Sequence, residues 1–317
     1  FLTRDIKVDR LLSITSFIHL LHVFGPAASV PIDGVDHNVL EIISNESLRI
    51  RLKLDNWHKP FMATRHGCRC LTMDRSFVAS AQPDRQAHDD QLLATFAEIG
   101  LPLGWRLRTL DREFMVKDLL DDSIANFNIN QEEIEWAAIA YAIYAPFSSG
   151  ITNKYGTTFT FDAIVSKLIE RESVDLPCDG MHRLMALSII STRAERGDLP
   201  SLRQRLELNA YLSKRLELLV ASQTLDGSWP MRVDDSRLAS QADSSRMTAR
   251  CVLSTGHKLE WAIMSRMANP NLTSTIRQAR HCLEEELEIC RPENLSTAFC
   301  PYSHAVKAIL DSIALGL

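Results

Sequence analysis

The feature that most constrains the fold is an alternation between two kinds of helix-forming segment. One kind is short and apolar at nearly every position, as in residues 137–143 and 184–190. The other is longer and carries charges along one face, as in residues 201–223 and 271–290. A helix that is apolar all round is buried, whereas one with a charged stripe lies outside it. The alternation therefore predicts an all-α fold of inner and outer helices, and only residues 153–161 look briefly β-like.

The spacing of the apolar segments indicates a repeat. Each segment is preceded by a polar residue that we take as the helix entrance, and these are His88, Glu135, His182, His257 and His304. Three of the four gaps between them are 47 residues, and the fourth is 75. We assign the longer gap to a polar insertion around residues 230–245. Repeats of this size are typical of stacked helix pairs. Residues 41–317 are therefore predicted to form an α/α toroid, in which helical hairpins close around a central pocket.

The first 40 residues are predicted to be a separate helical segment. Residues 11–30 are mostly apolar, but they are interrupted by polar side chains: Ser13, Thr15, Ser16, His19 and His22. A membrane span or signal peptide is more uniformly apolar than this. We therefore expect an amphipathic helix that packs on the rest of the chain, with membrane association through this segment as the alternative.

Charge and cysteine usage exclude several classes of partner. The formal net charge is -5 and no long basic run is present, so nucleic acid is not expected as a partner. Seven cysteines form no CxxC pair, which excludes a zinc ribbon. Reduced and mostly buried thiols are the simplest interpretation. Cys178 is the cysteine that lies beside the candidate site.

The first half of the candidate site is the stretch 178–183, which runs directly into an apolar helix. Polar groups are favoured at a helix start because backbone N–H groups and the positive end of the dipole lie there. His182 can act as an acid or a base near neutral pH. Asp179 could orient it or share a proton with it, and Arg183 could hold an anionic group. We predict that His182 and Asp179 are catalytic and that Arg183 binds the substrate.

The second half of the candidate site is the stretch 256–261. His257 and Glu260 have a helical i, i+3 spacing that places both on one face, and we predict that both are catalytic. Trp261 offers an aromatic wall suited to a sugar ring or an isoprenoid chain. Trp229 and His88 complete the substrate-binding candidates, although packing for Trp229 and capping for His88 are the simpler interpretations.

Neither a metal nor a cofactor is predicted. Two histidines on separate helices together with a glutamate could bind zinc, but no HExxH or other close ligand pair is present. His304 is a lone imidazole and is interpreted as a packing residue.

Two short motifs carry family resemblances. Residues 223–229 read Gln-Thr-Leu-Asp-Gly-Ser-Trp and resemble the QxxDGSW motif of the squalene–hopene cyclase group, among the terpenoid cyclase and protein prenyltransferase α/α toroids. The resemblance implies that this motif ties helices together and is not catalytic. Residues 256–261 are similar to the GHxxEW motif of the N-acylglucosamine 2-epimerase family, another α/α barrel. That resemblance implies an acid/base role for His257.

Three functions are consistent with these features. The first is an enzyme that acts on a small molecule by acid/base chemistry, as a sugar or uronate isomerase, lyase or hydrolase. The second is an isoprenoid-processing protein of the terpenoid cyclase type. The third is a non-catalytic helical-repeat scaffold that binds a partner on its concave face. Whether the chain is an enzyme stays open at this point.

Overall fold

A computed structural model describes the chain over residues 13–54, 60–72, 86–144, 150–171, 177–194, 200–230, 249–265, 272–289 and 299–317. Helices account for 64% and strands for 11% of these residues, which agrees with the predicted all-α class. The chain divides into two compact units. Unit 1 comprises Phe1–Lys167 and Arg193–Pro200, and unit 2 comprises Leu168–Thr192 and Ser201–Leu317.

Unit 1 combines short helices with β-hairpins. Its helices are α1 (Ile14–Phe24), α2 (Val39–Ser44), α3 (Glu46–Arg51), α4 (Gln91–Glu98), α5 (Val116–Asn126), α6 (Ile134–Tyr144) and the beginning of α7 (Phe161–Glu170). The apolar helix α6 packs on α4, and α1 packs on α2 and α4. Phe17 and Leu20 of α1 are fully buried, so this helix contributes to the core of unit 1.

The β-structure of unit 1 consists of two-stranded antiparallel hairpins. The strands pair in chain order: β1 (Ser29–Ile32) with β2 (Val35–Asn38), β3 (Phe61–Ala63) with β4 (Cys68–Cys70), β5 (Arg106–Arg108) with β6 (Glu113–Met115), and β7 (Ile151–Thr152) with β8 (Thr158–Phe159). The sequence indicated only the last of these, and the other three hairpins were not predicted. Strands of two to four residues are too short to show an alternating pattern.

All the regular secondary structure described in unit 2 is helical. A 3-10 turn at Pro177–Gly180 leads into α8 (Met181–Ala194), which is followed by α9 (Leu202–Ala221), α10 (Ala249–Ser265), α11 (Thr273–Ile289) and α12 (Phe299–Ala314). α10 packs against both α11 and α12. The contact with α12 is close because Gly256 has no side chain: a Cβ there would lie 2.8 Å from the Ala305 nitrogen.

The predicted helices are confirmed, but two predicted helix entrances were wrong. Outer segments 201–223 and 271–290 correspond to α9 and α11, and α9 buries only a narrow stripe that includes Leu208, Leu212 and Leu216. His182 does lie in the first turn of α8. His257 instead lies in the middle of α10, and His304 lies well inside α12.

Three sequence predictions about segments stand as follows. The insertion at 230–245 falls almost entirely outside the described residues. None of the described helices combines the length and apolar character that crossing a membrane requires. The domain boundary at residue 40 and the membrane association of the first segment stay predictions.

Candidate functional site

The start of α8 supplies the first group of site residues. His182 and Arg183 lie in its first turn, with only 3% and 1% of their surfaces exposed. The preceding 3-10 turn places Cys178 at a φ of 52°, a left-handed conformation that a non-glycine residue rarely adopts. The backbone of Asp179 belongs to this turn, and its side chain lies outside the described part of the structure.

The middle of α10 supplies the second group. His257, Glu260 and Trp261 are buried, at 1%, 3% and 1% exposure. The Trp261 indole N–H donates to the Ser188 hydroxyl of α8 over 2.8 Å. This hydrogen bond fixes α10 beside α8, so the two predicted halves of the site meet within unit 2.

Three imidazoles from three helices come into contact. The ring centroids of His182 and His257 lie 5.0 Å apart, and the rings meet edge to face. The centroids of His257 and His304 lie 3.7 Å apart. Nδ1 of His304 lies 3.1 and 3.2 Å from the two carboxylate oxygens of Glu260, to which it donates. We name the set of His182, His257, His304 and Glu260 the histidine cluster.

His257 is the member of the histidine cluster whose polar atoms form the fewest hydrogen bonds. Both of its ring nitrogens are buried and neither has a hydrogen-bond partner among the described residues. The nearest charged atom of its ion-pair partner, Oε2 of Glu260, lies 3.7 Å from Nδ1, beyond hydrogen-bond distance. A buried donor or acceptor left without a hydrogen bond costs about 1–3 kcal/mol. Such a group in the centre of a cluster indicates that something other than stability keeps it there.

The cysteines near the histidine cluster differ in their surroundings. The Cys178 sulfur lies near His182 and His257, and one donor atom from each of the three falls within 4.8 Å of the others. Burial, and then the charge of Glu260, raise the pKa of the Cys300 thiol to about 12, so that thiol stays protonated. None of the six described cysteines forms a disulfide, and three of them are buried.

The remaining predicted site residues have other contacts. Trp229 of unit 2 is fully buried, and its indole N–H donates to the Leu219 carbonyl over 2.9 Å. His88 belongs to unit 1, where its Nδ1 lies 2.7 Å from Oε1 of Glu133 and its ring stacks on Trp136. Both sets of contacts match packing, and the predicted roles of Trp229 and His88 in substrate binding stay predictions.

Unit 1 contains a separate polar cavity of about 180 Å³. Asp90 lies on its wall, and Oδ2 of Asp90 accepts a hydrogen bond from the Ser123 hydroxyl over 2.8 Å. Burial raises the pKa of Asp90 to about 6, with the charges of Asp89 and Asp122 adding to the effect. Asp122 is itself neutralised by Arg69, whose Nε lies 2.8 Å from Oδ2 of Asp122. Among the described residues, the polar side chains that line this cavity form hydrogen bonds, whereas the ring nitrogens of His257 in the histidine cluster form none.

Sequence reasoning missed His304 as a member of the site. Its place in the 47-residue spacing was the available signal, because that spacing aligned it with His257. Searches against protein-family models, curated proteins and solved structures found no match. The function is therefore argued from the geometry of the site.

Proposed function

We propose that the chain is an enzyme that acts on a small molecule by acid/base chemistry at the histidine cluster. The observation that carries the proposal is the buried contact of Glu260, His304, His257 and His182 on three helices. A protein that needed only packing here would gain more from apolar side chains, because burying polar groups is costly unless they are fully paired.

Proton transfer is assigned to the pair of Glu260 and His304. Glu260 holds the Nδ1–H of His304, which leaves the lone pair of the neutral imidazole on Nε2. An imidazole whose tautomer is fixed by a carboxylate is the usual arrangement for a general base. The sequence favoured His182 or His257 for this role. Nδ1 of His257, however, lies 3.7 Å from Glu260, whereas His304 lies within hydrogen-bond distance of both carboxylate oxygens.

The substrate class proposed is a sugar or uronate. Trp261 and the imidazoles are aromatic groups of the kind on which sugar rings stack, and Arg183 is a buried cation whose charge suits a carboxylate. The similarity of residues 256–261 to the GHxxEW motif agrees with this class. We further propose that the helix pairs close into an α/α toroid of the terpenoid cyclase kind, which would make the histidine cluster part of a central pocket.

Deuterium exchange tests the proposal for every reaction that begins with proton abstraction next to a carbonyl, as in an isomerase or a uronate lyase. The protein is incubated in D₂O with a panel of hexoses, N-acylhexosamines and hexuronates, and NMR detects deuterium at carbons next to the carbonyl. We expect exchange into at least one member. His304→Gln should slow it about 10²–10⁴-fold, as for loss of a general base. The control is His281→Gln, which replaces an imidazole whose side chain is 74% exposed on α11.

Two results would contradict the proposal. Exchange that is equally fast in His304→Gln and the unaltered protein would remove the histidine cluster from the reaction. No exchange or turnover of any panel sugar would overturn the substrate class and favour the isoprenoid-processing or scaffold alternatives.

A further inference from the structure

We infer that Cys178, His182 and His257 bind a zinc ion. The three residues offer a thiol and two imidazoles, and one donor atom from each lies within 4.8 Å of the others. The inference concerns the site of the proposed function and rests on that proposal only for the catalytic use of the metal.

The donor set matches zinc in type and in size. Thiolate and imidazole are the ligands that Zn²⁺ takes most often, and three protein ligands with an open fourth position are typical of catalytic sites. Zn–N bonds of about 2.0–2.1 Å and a Zn–S bond of about 2.3 Å place tetrahedral donors roughly 3.3–3.8 Å apart. The donor atoms lie within 4.8 Å of one another, so they have to approach by at most about 1–1.5 Å, which side-chain rotation can supply.

The second observation is the state of His257. It is 1% exposed, a nitrogen of its ring faces Cys178 and His182, and neither of its ring nitrogens has a hydrogen-bond partner among the described residues. A bound cation would satisfy one of those nitrogens directly. Oε2 of Glu260 lies 3.7 Å from Nδ1 of His257, so a small rotation of the ring on metal binding would bring the two atoms within hydrogen-bond distance. A carboxylate beside a ligating imidazole orients the ring and strengthens it as a ligand.

The metal site was not expected from the sequence because its ligands match no spacing motif. Cys178 and His182 come from the turn before α8 and its first turn, while His257 comes from the middle of α10. With His182 and His257 as ligands, the Glu260–His304 pair remains the proton-transferring group. A zinc ion in this position would supply a Lewis acid or an activated water beside that pair.

Metal analysis of the intact chain tests the inference. The protein is produced in zinc-supplemented medium, freed of any affinity tag, gel-filtered and analysed by mass spectrometry for d-block metals. We expect about one zinc per chain. Cys178→Ser should lower the zinc content by at least about 10-fold, since even outer-shell changes cost about 10–100-fold in affinity. Cys251→Ser is the matched control, because Cys251 is half-buried like Cys178 and lies outside the ligand set.

Cobalt substitution provides a readout specific to the thiolate. Co²⁺ added to the metal-free protein should give a thiolate-to-cobalt absorption band in the unaltered chain and in Cys251→Ser, and no such band in Cys178→Ser. Circular dichroism checks that each variant is folded. Zinc-free protein from supplemented medium, or a cobalt band that survives in Cys178→Ser, would overturn the inference.

The two proposals fail in different ways. Bound zinc without any sugar exchange would leave the metal site standing and remove the proposed function. Sugar exchange in a protein that binds neither zinc nor cobalt would leave the proposed function standing and remove the metal site.

Discussion

The turn at Gln223–Trp229 and the histidine cluster lie in the same unit, and both were selected from the sequence by residue type. Their polar groups differ in whether they form hydrogen bonds. In the turn, Nε2 of Gln223 donates to the Gly227 and Thr275 carbonyls over 3.0 and 2.9 Å. The Asp226 carboxylate accepts from the backbone N–H and the hydroxyl of Ser228. In the cluster, the buried ring of His257 makes no hydrogen bond to any described residue.

This contrast separates a structural role from a functional one better than composition does. A buried network whose donors and acceptors are satisfied stabilises the fold, whereas a buried polar group without a hydrogen bond destabilises it. The Gln223–Trp229 turn therefore ties α9 to α11 and supports stability. In the histidine cluster the two unsatisfied nitrogens of His257 oppose stability, and we propose that the cluster is retained for the chemistry that its imidazoles can perform. Substitutions in the two regions should accordingly change the free energy of unfolding by different amounts and in opposite directions.

The largest effect is expected for Trp229→Ala. Trp229 is fully buried, so the change leaves a large cavity and removes the donor to the Leu219 carbonyl. The free energy of unfolding should fall by about 3–5 kcal/mol. Urea titration followed by circular dichroism measures it. A loss below about 1 kcal/mol would show that the turn does not stabilise unit 2 in the way the contacts indicate.

Gly227→Ala should come next. Gly227 has a φ of +88°, and a Cβ there would lie 2.5 Å from the Gln278 carbonyl oxygen. Left-handed strain of about 1–2 kcal/mol and overpacking of about 1–3 kcal/mol together predict a loss of about 2–5 kcal/mol. Gly34→Ala is the control, since it has a φ of +79° with nothing within 4 Å. Equal losses in the two variants would mean that the Gln278 contact is relieved at little cost.

Gly256→Ala probes the histidine cluster through its packing. The added Cβ would lie 2.8 Å from the Ala305 nitrogen, so α12 has to move away from α10. We expect a loss of about 1–3 kcal/mol in unfolding free energy, reduced by the better helix propensity of alanine. The same movement separates His304 from His257. The variant should therefore also slow deuterium exchange, and unchanged exchange would show that the close ring contact is not needed.

Asp226→Asn should change stability in a pH-dependent way. Partial burial acts to raise the pKa of Asp226, but hydrogen bonds from Thr224 and Ser228 outweigh it and lower the pKa. A carboxyl with a lower pKa in the folded state stabilises above its unfolded pKa of about 3.9, and that contribution is lost as pH falls further. The unaltered protein should thus be more stable than the variant above pH about 4, by a modest amount because Asp226 is exposed. Urea unfolding between pH about 3 and about 7 measures this difference, and a difference that does not shrink in acid would refute the assignment.

Much of the helical framework could be predicted because long amphipathic or apolar segments carry a clear period. α9 and α11 were placed within a few residues of their observed ends. The hairpins could not be predicted, since their strands are too short to alternate. The position of His257 was wrong for a specific reason. His257 was taken as a helix entrance, whereas α10 continues through this position and the missing side chain of Gly256 allows contact between α10 and α12.

Only some of the residues in the site could be identified from the sequence. His182, His257 and Glu260 were chosen for their chemistry, and the structure brings them together in unit 2. His304 was set aside because a lone imidazole has no local partner in the sequence. Its pairing with Glu260 arises from the packing of α10 on α12, a contact between residues 44 positions apart that local patterns do not specify. The proximity of Cys178 to His182 and His257 could not be predicted for the same reason.

The central claim is that His257 is kept for function at a cost in stability, and the smallest expected effect tests it most directly. His257→Leu replaces the imidazole by an apolar side chain of similar size, and the unfolding free energy is measured by urea titration in metal-free buffer. We predict that the variant is as stable as the unaltered protein or more stable by up to about 1–3 kcal/mol, because two buried unsatisfied nitrogens are removed. A loss of more than about 1 kcal/mol would contradict the account, since it would show that His257 is a stabilising core residue.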